Sequence, residues 1–116
     1  MQDKYRMIRK DLSFVFGETG TTSSQVIATE GQIKHIHVRT PNFNSNATST
    51  LTIEDEDSYE IYSSGAKNES TNANITDMVV CLTGKNTVKI TLSVAAGTGG
   101  GTVIVVLYYF GWEPGF

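Results

Sequence analysis

The segment 103–110, with the sequence VIVVLYYF, is apolar at both of the positions that alternate along a strand, and it follows a glycine-rich run. A strand without a polar side has to be covered on both faces. The segment therefore predicts a strand that lies in the middle of a sheet or is covered on one face by a neighbouring subunit. Because the other predicted strands alternate between apolar and polar positions, this segment favours a β-sandwich.

Most of the remaining chain alternates between apolar and polar positions, which is typical of strands with one face in the core and one in solvent. The clearest case is 87–94, where the apolar positions Val88, Ile90, Leu92 and Val94 are predicted to point inward. The other predicted strands are 5–16, 25–28, 33–40, 50–54, 59–62 and 75–82, with a long polar connection over 63–74. About seven or eight short strands separated by turn residues predict an all-β fold, an antiparallel β-sandwich that is jelly-roll-like, with little or no helix.

The length of 116 residues suits one domain, and we expect residues 1–116 to form a single β-sandwich. The only cysteine, Cys81, lies in the apolar stretch MVVCL and is predicted to be a buried core thiol. The chain begins without an apolar signal segment, and no apolar run reaches membrane-spanning length. We therefore expect synthesis in the cytoplasm and no membrane binding.

The two ends of the chain differ from the rest in charge and aromatic content. Residues 1–10 form a basic arm although the net charge of the whole chain is −3, and residues 111–116, GWEPGF, form an aromatic tail. An acidic domain without an extended basic face is poorly suited to binding nucleic acid, so none is predicted. Aromatic and arginine side chains are enriched at interface hot spots. The predicted partner-binding residues, against the alternative that each end folds onto its own domain, are Tyr5, Arg6, Arg9, Trp112 and Phe116.

Two groups of side chains are candidates for metal binding. The run 54–57 places four carboxylates on one turn, as Ca²⁺ prefers, but it lacks the spacing and glycine of an EF-hand, so a solvated turn is favoured over a cation site. His35 and His37 project from the same face of a strand, as a pair of zinc ligands would, and both point away from Ile36 and Val38. Without a third histidine, a polar role at a subunit contact or in solvent is favoured, and no metal or cofactor is predicted.

Catalysis finds no support in the sequence. There is no glycine-flanked serine elbow, and the glycines at 97–101 lie between strands rather than before a helix, so they predict a hairpin loop and not a phosphate site. We predict that the chain is not an enzyme and has no catalytic residues. A carbohydrate-binding or adhesion module remains an alternative because aromatic rings stack on sugars, and the candidate rings are Tyr59, Tyr62, Tyr108, Tyr109 and Trp112.

Four segments together resemble small β-sandwich structural proteins of tailed bacteriophage virions. These segments are DKYRMIRKDLSF, GQIKHIHVRTPNF, TSTLTIEDEDSYEIYSSGA and SVAAGTGGGTVIVVLYY, which cover most of the chain. The resemblance implies a capsid decoration or cement protein of the head surface, assembled in the cytoplasm of the host bacterium. Many copies, often trimers, would bind the major capsid protein or other virion proteins and stabilise the head. A neck or tail component is the alternative within the virion.

Overall fold

The computed structural model describes residues 3–76 and 78–114, with side chains over 6–76 and 78–111. Within these residues there are nine strands and no helix, and accordingly none that is long and apolar enough to cross a membrane. The all-β prediction is confirmed. The strands are β1 (Asp3–Phe16), β2 (Thr22–Ile27), β3 (Glu30–Thr40), β4 (Ser49–Glu54), β5 (Glu60–Lys67), β6 (Thr71–Ile75), β7 (Val80–Thr83), β8 (Asn86–Leu92) and β9 (Gly101–Pro114).

The strands pair in a nested antiparallel order, β1 with β9, β2 with β8, β3 with β6, and β4 with β5. Pairing of β9 with β3 and of β8 with β4 joins these pairs into two sheets. The five-stranded sheet has the order β1-β9-β3-β6, with β7 added to β3, and the four-stranded sheet has the order β2-β8-β4-β5. This division of nested pairs between two sheets is that of a jelly roll. The predicted antiparallel sandwich is confirmed, and β9 has a neighbour on each side.

The core lies between the two sheets and is built from the inward side of each strand. Phe43, from the loop after β3, packs edge-on against Phe16 with the ring centres 6.4 Å apart. The largest fully buried side chains are Phe14, Phe43, Ile27, Ile33, Ile36, Leu51, Ile53, Ile90 and Leu107. Because both sheets contribute, the core holds them together as one sandwich.

Glycines allow close approach at the two ends of β9. Gly31 pairs with Gly111, and a side chain on Gly31 would overlap the carbonyl oxygen of Phe110. At the other end, the Glu18 carboxylate accepts a hydrogen bond from the Gly99 amide at 2.9 Å, and the Glu18 carbonyl oxygen accepts one from the Gly97 amide at 2.9 Å. The glycine-rich loop is therefore a turn fastened by Glu18.

Three details of the predicted strands are wrong. The connection expected over 63–74 contains the end of β5 and most of β6, which pairs with β3. The strand expected over 75–82 is divided between β6 and β7. Val94 is 49% exposed because β8 ends at Leu92 and the alternation does not continue. The physical reason for the first error is that Thr and Asn occupy three of the five positions of β6, so only Ala73 and Ile75 mark its apolar side.

Cys81 is exposed, so the prediction of a buried thiol is wrong. On β7, Val80 and Leu82 point into the core, and strict alternation turns Cys81 to the outer side. The alternation cannot be seen in the stretch MVVCL, because Met78, Val79 and Cys81 are apolar like the inward residues Val80 and Leu82. Val79 is itself 60% exposed.

Candidate interaction surface

The outer face of the four-stranded sheet is polar along its two central strands, and its edge strands expose Val26 and Ile61. Outward positions on β2, β4 and β8 carry mainly hydroxyl and charged side chains, and Lys89 lies 3.7 Å from the Glu54 carboxylate. The outward residues on the two central strands are Thr50, Thr52, Glu54, Thr87, Lys89 and Thr91. Such a face is well hydrated and is typical of the solvent side of an antiparallel sheet.

The outer face of the five-stranded sheet has an apolar centre. On β9 the inward side chains alternate with outward ones that are also apolar, which we call the β9 column: Ile104, Val106, Tyr108 and Phe110. Val106 is only 7% exposed although it points away from the core, because Asp11 of β1 and His37 of β3 flank it in the register. The other members of the column are half-buried. The described strands that make extensive contacts with β9 are β1 and β3, its neighbours in the same sheet.

A row of three side chains crosses the column from β1 to β3. The guanidinium carbon of Arg9 lies 5.9 Å from the centre of the Tyr108 ring, and the His35 ring meets the Tyr108 ring edge-on with centres 5.4 Å apart. Arg9 Nε also donates to Asp11 Oδ1 at 2.8 Å, and this hydrogen bond and the Asp11 charge raise the pKa of Arg9. The polar groups around Tyr108 therefore hold one another in place.

A shallow open depression of about 330 Å³ lies beside this row and is lined by Met7, His35 and Tyr108. The Met7 side chain is 45% exposed there. A thioether, an aromatic ring and an imidazole around an open hollow form a mainly apolar surface with polar edges, as is common at protein interfaces.

The two histidines have separate partners. His35 packs on Tyr108, whereas His37 Nδ1 donates to Asn74 Oδ1 on β6 at 2.6 Å. Among the described residues, no group of three or more His, Cys, Asp or Glu side chains could hold a metal ion. The outward direction predicted for both side chains agrees with the structure, and their contacts make them polar flanks of the β9 column.

The structure brings the predicted arm and tail together as strands. Tyr5 pairs with Trp112, Arg6 with Gly111 and Arg9 with Tyr108. The pairing of β1 with β9 continues to Asp3 and Pro114, beyond the last pairing of β9 with β3 at Gly111, so a two-stranded ribbon projects from the sheet. The Arg6 and Arg9 side chains are exposed.

Some of the predicted partner-binding residues lie beyond what the structure describes. Phe116 is outside the described residues, and the side chains of Tyr5 and Trp112 are outside the described side chains. Conversely, Met7, His35 and Tyr108 were not predicted as a group. The sequence feature that points to this group is that 103–110 is apolar on both sides of the strand. This feature indicates an outward apolar column but does not indicate which residues flank it.

The acidic run 54–57 forms part of a tight hairpin turn. Asp55 Oδ1 accepts from the Asp57 and Tyr59 amides, both at 2.9 Å, and the Asp55 amide donates to the Tyr59 carbonyl oxygen at 2.9 Å. These bonds fix the turn between β4 and β5. Tyr59 is 74% exposed and Ile61 is 40% exposed, so the turn presents apolar side chains next to its carboxylates.

No protein-family model matches the chain, and no curated protein matches it by sequence. Solved structures do match. A chain in the acidic stable capsid structure of Helicobacter pylori bacteriophage KHP30 is similar with a TM-score of 0.57 and 12% identity, covering 94% of this chain and 92% of that chain. A chain in the capsid asymmetric unit of cyanophage Pam1 is similar with a TM-score of 0.55 and 20% identity, covering 94% and 86%.

The carbohydrate-binding module TmCBM61, solved in complex with β-1,4-galactotriose, has a TM-score of 0.46 and 12% identity, covering 94% of this chain and 86% of that chain.

At identities of 12% and 20%, the similarity to the two phage capsid chains shows the fold alone. The chain therefore shares the whole of its jelly-roll sandwich with small chains in phage capsid structures.

Proposed function

We propose that this chain is a non-enzymatic structural protein of a bacteriophage virion that works by binding other proteins. The observation that carries the proposal is the β9 column, an apolar stripe on the outer face of the five-stranded sheet with Arg9, Asp11 and His37 beside it. An apolar centre with a polar rim is the anatomy of a protein interface. The outer face of the four-stranded sheet, whose central strands are polar, shows by comparison what a solvent-exposed face looks like in the same molecule.

The likeness to the two capsid chains supports a role in the virion. Both matches extend over most of the neighbour's own length, 92% and 86%, so in each case a chain of about this size is a nearly complete protein within a phage capsid structure. The fold alone does not dictate a function. It is the combination of this fold with an uncovered apolar face that favours a structural role over a catalytic one.

Within the virion we propose a decoration or cement protein on the head surface. The area of the outer face of the five-stranded sheet supports binding by many copies of the chain at once. Four strands about 4.8 Å apart and about seven residues at about 3.4 Å give roughly 450 Å². A stable complex of two proteins buries about 800 Å² on each partner. Many copies on a symmetric lattice, as oligomers for which we favour the trimer, would gain the missing affinity through multivalency.

The ribbon of β1 and β9 is proposed to extend the contact that the β9 column makes with the major capsid protein or another virion protein. It projects past the end of β3 and carries the predicted binding residues Tyr5, Arg6, Arg9 and Trp112, with Phe116 following it in sequence. Removing residues 1–5 together with 112–116 should release the protein from heads. The shortened chain should remain folded, because it keeps Ile8 and Tyr109, the outermost members of the core on β1 and β9 among the described side chains.

Copy number tests the proposal. Quantitative mass spectrometry of purified particles should find this chain at a ratio near that of the most abundant shell protein. A far lower ratio would contradict decoration and assign the chain to the neck or tail. Absence from particles would overturn the virion role.

A carbohydrate-binding module is the second candidate, favoured by the half-exposed Tyr108 ring beside an open depression. Binding of the purified protein to a glycan array with micromolar affinity, lost in Tyr108→Ala, would support it. No binding on the array, together with incorporation into particles, would exclude it in favour of the structural role.

A further inference from the structure

The free edge of β1 is the longest regular sheet edge in the described part of the chain. β1 has 14 residues and pairs with β9 in one continuous register without an irregularity. Among the other edge strands, β2 has six residues, β6 has five and β7 has four, and β5 carries two irregularities in its pairing with β4. Short strands and bulges are usual devices by which proteins protect sheet edges, and β1 has neither.

We propose that this edge receives an extended segment of the virion protein that the chain binds, and that the segment adds a strand to the five-stranded sheet beside β1. The inference rests on the proposed virion role and names the mode of binding next to the β9 column. In strand addition, main-chain hydrogen bonds supply the affinity and alternate side chains supply the specificity. The occupant is therefore selected first by the backbone groups that the edge offers.

Backbone donors and acceptors on alternate residues of β1 point away from β9. In an antiparallel ladder the N–H and C=O of one residue point to the same side, and the side alternates from residue to residue. The Phe16 carbonyl oxygen points toward β9, where a side chain on Gly100 would overlap it. The Ser13 carbonyl oxygen instead accepts a hydrogen bond from the Gln25 side chain of β2 at 2.6 Å. The residues that share the direction of Ser13 and face the free edge are Met7, Arg9 and Asp11.

The side chains along the open stretch indicate what kind of strand fits. Gln25 occupies the edge at Ser13, so the open stretch runs from Asp11 toward the start of β1. On the inward side, Ile8 is only partly buried against the core. On the outward side, Met7 is 45% exposed beside the depression. A segment with apolar side chains on both of its faces at this level would cover Ile8 and extend the apolar surface of the β9 column past Met7.

A second copy of β1 is a poor occupant of this edge. Antiparallel pairing of two copies about a two-fold axis uses the free donors and acceptors only when the register is centred on a residue. Registers centred closer to Ser13 than position 9 meet the Gln25 side chain. Registers centred on positions 6 to 9 place cations directly opposite each other, which destabilises a strand pair. The opposed pairs are Arg6 with itself, Lys4 with Lys10, Arg6 with Lys10, and Arg9 with itself.

A proline on the edge tests the proposal without breaking the sheet. Arg9→Pro removes an amide that faces the free edge and keeps the hydrogen bonds between β1 and β9. Arg9→Ala is the matched control, because it removes the same side chain and keeps the amide. Co-sedimentation with undecorated heads should give a dissociation constant at least about tenfold higher for Arg9→Pro than for Arg9→Ala, since a carbonyl group of the added strand loses its donor. Equal binding by the two variants would overturn the proposal.

Amide hydrogen exchange of the unmodified chain is a second test that needs no substitution and decides the question if Arg9→Pro does not fold. In the free protein the edge amides of Met7, Arg9 and Asp11 should exchange quickly. The amides of Ile8 and Lys10 donate to β9 and should exchange slowly. On heads, the three edge amides should become as protected as that of Ile8. Edge amides that exchange as fast on heads as in solution would overturn the proposal.

These measurements separate the strand addition from the virion role. A chain that binds heads while its edge amides stay unprotected keeps the proposed function and contradicts only the strand addition. A chain that does not bind heads contradicts both. Free protein that self-associates more weakly as Arg9→Pro than as Arg9→Ala would assign the edge to a second copy, and this result would also overturn the proposal.

Discussion

The two outer faces of this sandwich are built from strands of the same geometry but have opposite chemistry. On the four-stranded sheet the central outward residues are Thr, Lys and Glu, whereas on the five-stranded sheet the centre is the β9 column. The core between the sheets is built from the inward side of each strand. An apolar outward side therefore adds little to the fold and favours a contact outside the chain. The comparison supports the proposal that the protein acts by binding other proteins through its five-stranded face.

The largest expected effect separates the inward and outward sides of β9. Leu107 is fully buried, and Leu107→Ala should lower the free energy of unfolding by about 2–5 kcal/mol because it leaves a cavity in the core. Tyr108→Ala, one residue further, should cost about 1 kcal/mol, as is usual for a substitution outside the core. Chemical denaturation of both variants measures the difference. Equal losses would mean that the outward side is as important for folding as the inward side.

A second prediction makes the five-stranded face resemble the four-stranded one. Ile104→Thr combined with Tyr108→Thr places a β-branched residue of high strand propensity at both positions, so the free energy of unfolding should fall by no more than about 2 kcal/mol. Binding to particles should weaken at least about thirtyfold, since truncating one hot spot costs about 2 kcal/mol. Co-sedimentation of purified protein with undecorated heads measures this. Unchanged binding would show that the β9 column is not the contact.

The reverse exchange gives a smaller effect. Thr50 and Thr91 are direct cross-strand neighbours on the four-stranded face, and Thr50→Val with Thr91→Val should create an apolar patch without loss of folding stability. The patch should lower solubility and add non-specific self-association, which light scattering as a function of concentration detects. If the double variant stays as soluble as the unmodified protein, an apolar centre on the outer face of a sheet is not sufficient for protein binding in this fold.

The smallest effect concerns Cys81, which pairs with Gln32 on the outer side of the five-stranded sheet. Its thiol should react with a water-soluble maleimide in the native protein at nearly the rate seen after unfolding, with no change in melting temperature. Mass spectrometry of the labelled chain follows the reaction. Labelling only after unfolding would restore the sequence-based prediction of a buried thiol.

Much of the fold could be predicted from the sequence because its strands follow the period of two. The alternation from Val88 to Leu92 and the double apolar side of 103–110 correctly indicated a strand with one wet face and a strand with two neighbours. Strand β6 was missed because only Ala73 and Ile75 mark the period of two in TNANI, and the strand is held by its pairing with β3. Polar edge strands depend on a partner that is distant in sequence.

The candidate surface could be predicted only in part. The composition of β9 predicts that the strand has an apolar side facing outward. The row of Arg9, Tyr108 and His35 depends instead on the register of three strands. On β3 an irregularity between Ile33 and His35 shifts the alternation, so that Ile33 and Ile36 both point inward while His35 points out. Local patterns do not specify registers or bulges, which arise from packing across the whole sheet.

Hydroxyl-radical footprinting of purified particles and of the free protein tests the central claim most directly. Met7 and Tyr108 report on the five-stranded face, and Val26, which is 59% exposed, reports on the four-stranded face. The account predicts strong protection of Met7 and Tyr108 in particles with Val26 labelled as in the free protein. Protection of Val26, with Met7 and Tyr108 labelled as in the free chain, would contradict it.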